Sequence, residues 1–331
     1  MFTKVRDFSE GVAQFASPGF WRTDATRIIS TIDEYYPAVE QGDFTPHKDE
    51  TGLRNAVQRT SAALAETGAG LRELTAKGYC GIFIDRLGLS EFSAADRSKL
   101  LLSLGLAMGF PTPTDQKQQR LLWDVMPRTN LPRGYAATFS EQAVGADLHT
   151  DSSFYAQPEK LFFLYVVHSA RCGGGESIML NARHIKDQLL AKPDGVYLLR
   201  LLSQPIFPFQ TPAAFAKGGA LDPADVYVGS VFNDEPFFRF RHDMILKGFD
   251  ARPDLKTPEA LYALQQIQDV IEHGCEVVRH WCDDDALIIA DNHVNLHGRT
   301  NFQDTKRHLV RVRISDIPAR DLGRVASVSN D

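Results

Sequence analysis

The chain has 331 residues, enough for one large domain or two ordinary ones with a sizeable core. Hydrophobic residues at 43% and charged residues at 24% describe a globular chain, neither disordered nor membrane-embedded. A net charge of −6, with basic residues scattered, argues against nucleic acid or an anionic membrane as the main partner. The N-terminal "MFTKVRDFSEGVAQF" lacks the apolar segment of a signal peptide, and no run approaches the roughly 18 apolar residues of a membrane helix. Cys80, Cys172, Cys275 and Cys282 form no C-x-x-C pair, which predicts free thiols in a reducing cytoplasm rather than a disulfide frame or zinc knot.

In chain order, residues 51–77 carry apolar positions at helical spacing and stop at Gly78. "YCGIFIDRLGL" (79–89) reads as a buried strand, and Ser93 with Asp96 at capping-box spacing opens a helix that ends at Gly109. "RLLWDVMP" (120–127) predicts a strand. The middle is strand-rich: "KLFFLYVVHSA" (160–170) and "GGGESIMLNA" (173–182) flank a glycine turn. A short helix follows, closed by Pro193, and then residues 226–245 read as a hairpin turning at Asn233-Asp234. "TPEALYALQQIQDVIEHG" (257–274) is the clearest helix, capped by Thr257 and ended by Gly274. "CEVVRHW", "ALIIADNHVNLHG" and "HLVRVRISDI" return to strand. This order suggests a mainly β core with flanking helices (α+β), a barrel or jelly roll, rather than a parallel α/β sheet. With no repeat and no convincing linker, the expectation is one domain over 1–331: a helical extension over 1–78 and a β core over 79–320 with an insertion around 185–275.

His149 and Asp151, in "ADLHTDSSF", stand two apart ahead of an apolar strand, so both side chains can face one centre. Ten His and 42 acids in this length give roughly one His-x-Asp/Glu by chance. Two occur, the other being His47-x-Asp49 in a polar loop. Downstream residues must choose between them. His297 ends the strand "ALIIA…" in "DNHVNLHGRTNF", Arg311 follows fourteen residues later in "RHLVRVRI", and Ser177 lies in the strand after Gly173–Gly175. Two imidazoles and one carboxylate occupy one face of an octahedral metal and leave three positions open, which suits Fe(II) that must also hold a co-substrate and O2. A keto-acid takes two of those positions, and a planar guanidinium suits its far carboxylate.

H-T-D, then a distant H-G-R-x-x-F, then an Arg fourteen beyond the second His, resembles the Fe(II)/2-oxoglutarate-dependent oxygenases, within them the taurine dioxygenase-like and clavaminate synthase-like branch. The resemblance is good over roughly 120–185 and 280–315 and is not traceable in the first fifty residues. It implies a double-stranded β-helix, Fe(II), 2-oxoglutarate and O2. His149, Asp151 and His297 would be the metal ligands, and Arg311, helped by Ser177, would hold the co-substrate carboxylate. It favours His297 over His293 and Arg311 over Arg313, and leaves Arg299 either structural or pocket-lining. Because Asp151 is present, it favours hydroxylation, desaturation or ring closure over halogenation. Trp123 stands where relatives tend to show Gln-Asp-x-Pro, and Arg241 beside Asp243 stands where they line the substrate pocket. An anionic substrate would explain Arg241, and so would a simple ion pair with Asp243 or Asp234.

The implied partner is a small polar metabolite, such as an amino acid or related carboxylate, and oligomeric state is silent. Two other readings use the same residues: a zinc hydrolase or isomerase, which has no use for Arg311, and a binding module that has lost turnover.

Overall fold

In a computed structural model of the chain, the described residues are 2–323 except 10, 38, 40–41, 116–117, 129–137, 213–214, 216–224 and 234–236. Elements are numbered in chain order. Two sheets form the core. The larger runs β1 (Lys4–Ser9), β2 (Val12–Phe15), β3 (Gly81–Ile84), β12 (Leu287–Asp291), β7 (Leu161–His168), β14 (His308–Ser315) and β4 (Phe110–Thr112), with β5 (Trp123–Val125) also paired to β14. The smaller runs β11 (Val278–His280), β8 (Ser177–Asn181), β13 (Asn295–Arg299) and β6 (Ala146–His149). Every pairing in these sheets is antiparallel except β2 with β3. The result is the jelly-roll core in a mixed α+β chain that the strand pattern predicts.

Alternation explains how the sheets bury both faces. On β7, Leu161, Phe163 and Tyr165 point to the helices α1 (Trp21–Tyr35), α2 (Glu50–Thr60), α3 (Ala62–Ala76) and α4 (Ala94–Met108), while Phe162 and Val166 point to the opposite sheet. On β12 the split is Leu287 and Ile289 against Ile288 and Ala290. Strands buried on both faces read as continuous apolar runs, as "LFFLYVV" does. On β14, Val310, Val312 and Ile314 join the helical side and Leu309 joins the inter-sheet core. Arg311 and Arg313 share the parity of Leu309, so two guanidiniums are directed into the space between the sheets.

The insertion covers the smaller sheet. Leu180 of β8 and Leu296 of β13 pack against α5 (Ala182–Leu190), α6 (Gly195–Leu202), α7 (His242–Ala251) and α8 (Pro258–Asp269) through Ile185, Leu198, Ile245 and Leu264. A separate pair, β9 (Phe207–Gln210) with β10 (Val226–Gly229), completes this layer.

Four expectations change. The helix over 51–77 is broken at Ser61, whose backbone is extended (φ −141°) and whose hydroxyl both caps Leu64 N–H and donates to buried Asp24. The hairpin over 226–245 does not form, because β10 pairs with β9 and residues from His242 onward turn into α7. An isolated Phe232–Phe238 bridge and a few flanking backbone hydrogen bonds remain of it, and Asp234 lies outside the described residues. The strand over 120–127 shrinks to Trp123–Val125. The N-terminal extension is not purely helical, since β1 and β2 widen the large sheet beside β3.

Asp285 closes the far end of this sheet from a left-handed backbone (φ 71°). Its carboxylate accepts from Gly88 N–H at 2.8 Å, Leu89 N–H at 2.8 Å and the Tyr165 hydroxyl at 2.8 Å. Asp285→Ala strands those buried donors and is expected to cost about 2–4 kcal/mol in urea unfolding; a loss below about 0.5 kcal/mol would show that the turn finds other partners.

Candidate metal centre

One pairing brings the histidines together. In the β13–β6 ladder His297 stands directly opposite His149, and the ring centroids lie 4.4 Å apart. Asp151 follows two residues after β6 ends, and its Oδ1 lies 3.9 Å from His149 Nε2. The nearest ligand atoms of the three side chains all lie within 4.8 Å of one another, the one such metal-capable group among the described residues.

The supporting structure fixes each side chain. His149 Nδ1 donates to the Asp147 carbonyl at 2.7 Å, which leaves Nε2 without a proton and turned toward Asp151. Ser152 has a left-handed backbone (φ 57°) immediately after Asp151 and turns the chain there. Asn292 holds the same point: its Oδ1 accepts from Asp151 N–H at 2.7 Å, and its Nδ2 donates to the carbonyls of Asp151 at 3.1 Å and Glu159 at 2.9 Å. Thr150, between the two ligand residues, donates N–H to the Phe240 carbonyl at 2.8 Å and accepts from Phe240 N–H at 3.1 Å. Phe162 packs on the His297 ring at 4.5 Å.

Burial opposes the charge on Asp151, but Arg311 and Arg313 outweigh it and hold its carboxyl well below the ordinary carboxylate range. Burial lowers both imidazoles, with Arg241 adding to the effect at His149 and His149 adding to it at His297. Two neutral imidazoles and one ionised carboxylate are the protonation states that a divalent ion requires. His297 Nδ1 is buried without a hydrogen-bond partner, so the ring has coordinating capacity that the protein does not use. These residues fit a divalent metal, and Fe(II) in particular.

The other residues singled out in the sequence distribute as follows. Arg311 Nη1 donates to Asp151 Oδ2 at 3.0 Å and reaches Oδ1 at 3.4 Å, while Arg313 Nε donates to Oδ2 at 3.2 Å. Ser177 stands opposite Arg299 in the β8–β13 ladder, on the face that carries Met179 and His297. Trp123 is buried opposite Arg311 on β14, and its indole N–H donates to Ser140 Oγ at 3.0 Å. Arg241 Nε donates to Asp243 at 3.1 Å, so the pair is satisfied internally, and both line a cleft of about 1000 Å³. That cleft reaches the triad through His149 alone. His293 instead holds the Pro158 carbonyl at 3.1 Å, away from the triad. His47 accepts from Asp49 N–H at 3.0 Å while Asp49 caps α2, a purely local arrangement.

Asn292 and Arg307 were not singled out from the sequence, and Arg299 was left between two roles. Asn292 is legible only as a polar residue at the end of an apolar strand. Arg299 donates through Nη2 to the carbonyls of Phe139 at 3.0 Å, Gln142 at 3.1 Å and Val144 at 2.6 Å, tying down the turn that feeds β6. It also lines the cleft, so the structural and pocket-lining readings both hold. Arg307 is 5% exposed, leaves Nη1 without a partner and sits 5.0 Å from the Phe302 ring centroid. A Cβ at Gly175, two residues before Ser177, would stand 3.2 Å from its Nε. Burial, reinforced by Arg299, pulls the Arg307 guanidinium down to about 9.

Known proteins were compared with this architecture. The family described as "Taurine catabolism dioxygenase TauD, TfdA family" matches residues 51–313. An asparagine oxygenase solved with Fe(II), 2S,3S-3-hydroxyasparagine and succinate superposes with a TM-score of 0.63 at 18% identity, over 89% of this chain and 92% of that one. The non-heme iron oxygenase OrfP, solved with Fe, succinate and (3R,4R)-dihydroxy-L-Arg, gives 0.66 at 14% identity over 96% and 98%. OrfP with Fe and alpha-ketoglutaric acid gives 0.65 at 14%. No curated protein matches the chain in sequence.

Asn292→Ala removes the clamp on Asp151 without touching a ligand side chain. Its affinity for a divalent ion is expected to fall roughly 10–100-fold in calorimetric titration; an unchanged affinity would show that Ser152 and Thr150 suffice to aim the carboxylate.

Proposed function

The chain belongs to the TauD/TfdA dioxygenase family, and from that premise we propose that His149, Asp151 and His297 hold one Fe(II) while Arg307 and Ser177 grip the far carboxylate of 2-oxoglutarate. The activity is that of a 2-oxoglutarate-dependent oxygenase, in which bound Fe(II) and O2 oxidise an unactivated C–H bond as the keto-acid is converted to succinate and CO2. The outcome is hydroxylation, desaturation or ring closure.

The observation that carries the residue assignment is charge. Arg311 and Arg313 already have a counter-anion in Asp151. Arg307 is equally buried and, among the described residues, its Nη1 has no acceptor and it forms no ion pair with a carboxylate, whereas Arg311, whose Nε is also unpaired, keeps its contact with Asp151. A buried guanidinium without an anion is costly, and a carboxylate that brings two lone-pair partners relieves that cost. Position agrees. Arg311 touches a metal ligand, whereas Arg307 lies four residues back, roughly 13 Å along an extended chain. A five-carbon diacid and an arginine side chain together span such a gap. This transfers to Arg307 the role that the fourteen-residue offset predicts for Arg311, and Ser177, across from Arg299 and next to the Gly175 turn, stays with it.

The protein's own contributions are positional. The Asp147 carbonyl fixes the His149 tautomer, Asn292 aims Asp151, and Phe162 orients His297. Trp123, Phe162 and Met179 keep the inter-sheet space apolar, so a charged co-substrate meets arginines instead of water. Substrate enters by the cleft beside His149, where Arg241 and Asp243 offer opposite charges side by side. That pairing suits a small polar metabolite with charges of both signs, an amino acid or related carboxylate, and the solved relatives named above carry amino-acid products.

Arg307→Ala is expected to raise KM for 2-oxoglutarate roughly a hundredfold, the loss of a bidentate charged contact worth about 3 kcal/mol. Arg311→Ala is expected to move it by no more than a few-fold while weakening metal binding. The reverse ranking in succinate-release kinetics would return the anchor to Arg311.

A further inference from the structure

A second buried cation stands on the carboxylate of Asp151 beside Arg311. Arg313 is 2% exposed, on β14 between β4 and β7, opposite Thr112 and Phe162. It shares the Asp151 carboxylate with Arg311. Its contact differs in kind. Arg311 reaches both carboxylate oxygens, but Arg313 touches Oδ2 alone, through Nε at 3.2 Å. The other oxygen, Oδ1, is the one 3.9 Å from His149 Nε2. The carboxylate is thus held with one oxygen toward His149 and the other tied back to β14.

We propose that Arg313 is a positioning residue that makes Asp151 a one-oxygen ligand. The chemistry supplies the reason. A carboxylate that chelates through both oxygens takes two of six positions and, with two imidazoles, leaves two. A keto-acid needs two and O2 needs one, so the third open position exists only while Oδ2 is kept off the metal. Arg313 is placed to do this independently of the co-substrate. Its strand is fixed on both sides, and Thr112, its cross-strand partner, is itself held by donating to Glu159 Oε1 at 2.8 Å. The Phe215 ring lies 5.9 Å from its guanidinium carbon. Arg311 donates to the same Oδ2 at 3.0 Å but also reaches Oδ1 at 3.4 Å, so Arg313 supplies the contact that Oδ2 alone receives.

The inference rests on Fe(II) binding by the triad, and the test separates the two. Wild type, Arg313→Met and Arg313→Gln are loaded anaerobically with Fe(II) or Co(II). Metal affinity is read by calorimetry, ligand number by X-ray absorption, and keto-acid affinity by titrating 2-oxoglutarate into the loaded protein. The Met variant is expected to bind metal at least as tightly as wild type but to lose roughly 10–100-fold in 2-oxoglutarate affinity, with one more light-atom ligand before the keto-acid is added. The Gln variant keeps a donor for Oδ2 and is expected to recover most of the loss; it also carries the test if the Met variant does not fold. Variants with wild-type ligand number and wild-type 2-oxoglutarate affinity would overturn the role of Arg313. A wild-type protein that binds no metal would instead overturn the reading of the triad.

Discussion

The site depends on one register. His297 stands opposite His149 because β13 and β6 pair antiparallel in a single alignment, and a one-residue slip would send one imidazole to the helical side of the sheet. Three devices hold that alignment. β8 pairs with β13 residue for residue from Asn181 to Ser177, leaving β13 no freedom to shift. Arg299 ties three carbonyls of the turn before β6. Asn292 then fixes Asp151 just beyond the strand. The ladder irregularity between His297 and Arg299 falls between the pinned positions, so β6 absorbs its extra residue without displacing His149.

The second constraint is electrostatic. Burying several arginines between two sheets is expensive unless each finds an anion or a set of carbonyls. Arg299 has the carbonyls, and Arg311 and Arg313 share Asp151. Arg307 has the Phe302 ring beside it and no acceptor for Nη1 among the described residues, and a bound carboxylate, as proposed, would supply the missing anion. A zinc hydrolase built on the same ligands would have no use for such a guanidinium. The interior therefore argues for a dicarboxylate co-substrate on grounds separate from family membership.

Much of this was legible in the chain. The unbroken apolar run "LFFLYVV" marked a core strand, and the parity of "HLVRVRI" put Arg311 and Arg313 on one face. The His149–Asp151–His297 group followed from spacing and resemblance together. What sequence could not supply was depth along a strand. An offset counted from His297 points to Arg311, whereas the contacts of Arg311 with Asp151 and the unpaired Nη1 of Arg307 are visible only in three dimensions. Tertiary choices also overrode local signals. The Asn233-Asp234 turn signal was real enough to bring Asn233 N–H to the Phe237 carbonyl at 3.1 Å, yet β9 rather than the following segment captured β10. Ser61 broke a helical periodicity because a buried aspartate awaited its hydroxyl. Arg241 and Asp243 were read as either pocket residues or an ion pair, and they are both.

The central claim is that three side chains from distant segments bind one divalent ion. It is tested most directly by anaerobic Fe(II) titration of the intact protein beside its Asp151→Ala and His297→Ala variants, with circular dichroism to verify that each is folded. The account predicts one ion per wild-type chain and, in each variant, an affinity lower by at least a hundredfold or no binding at all. Folded variants that bind Fe(II) as tightly as wild type would contradict it.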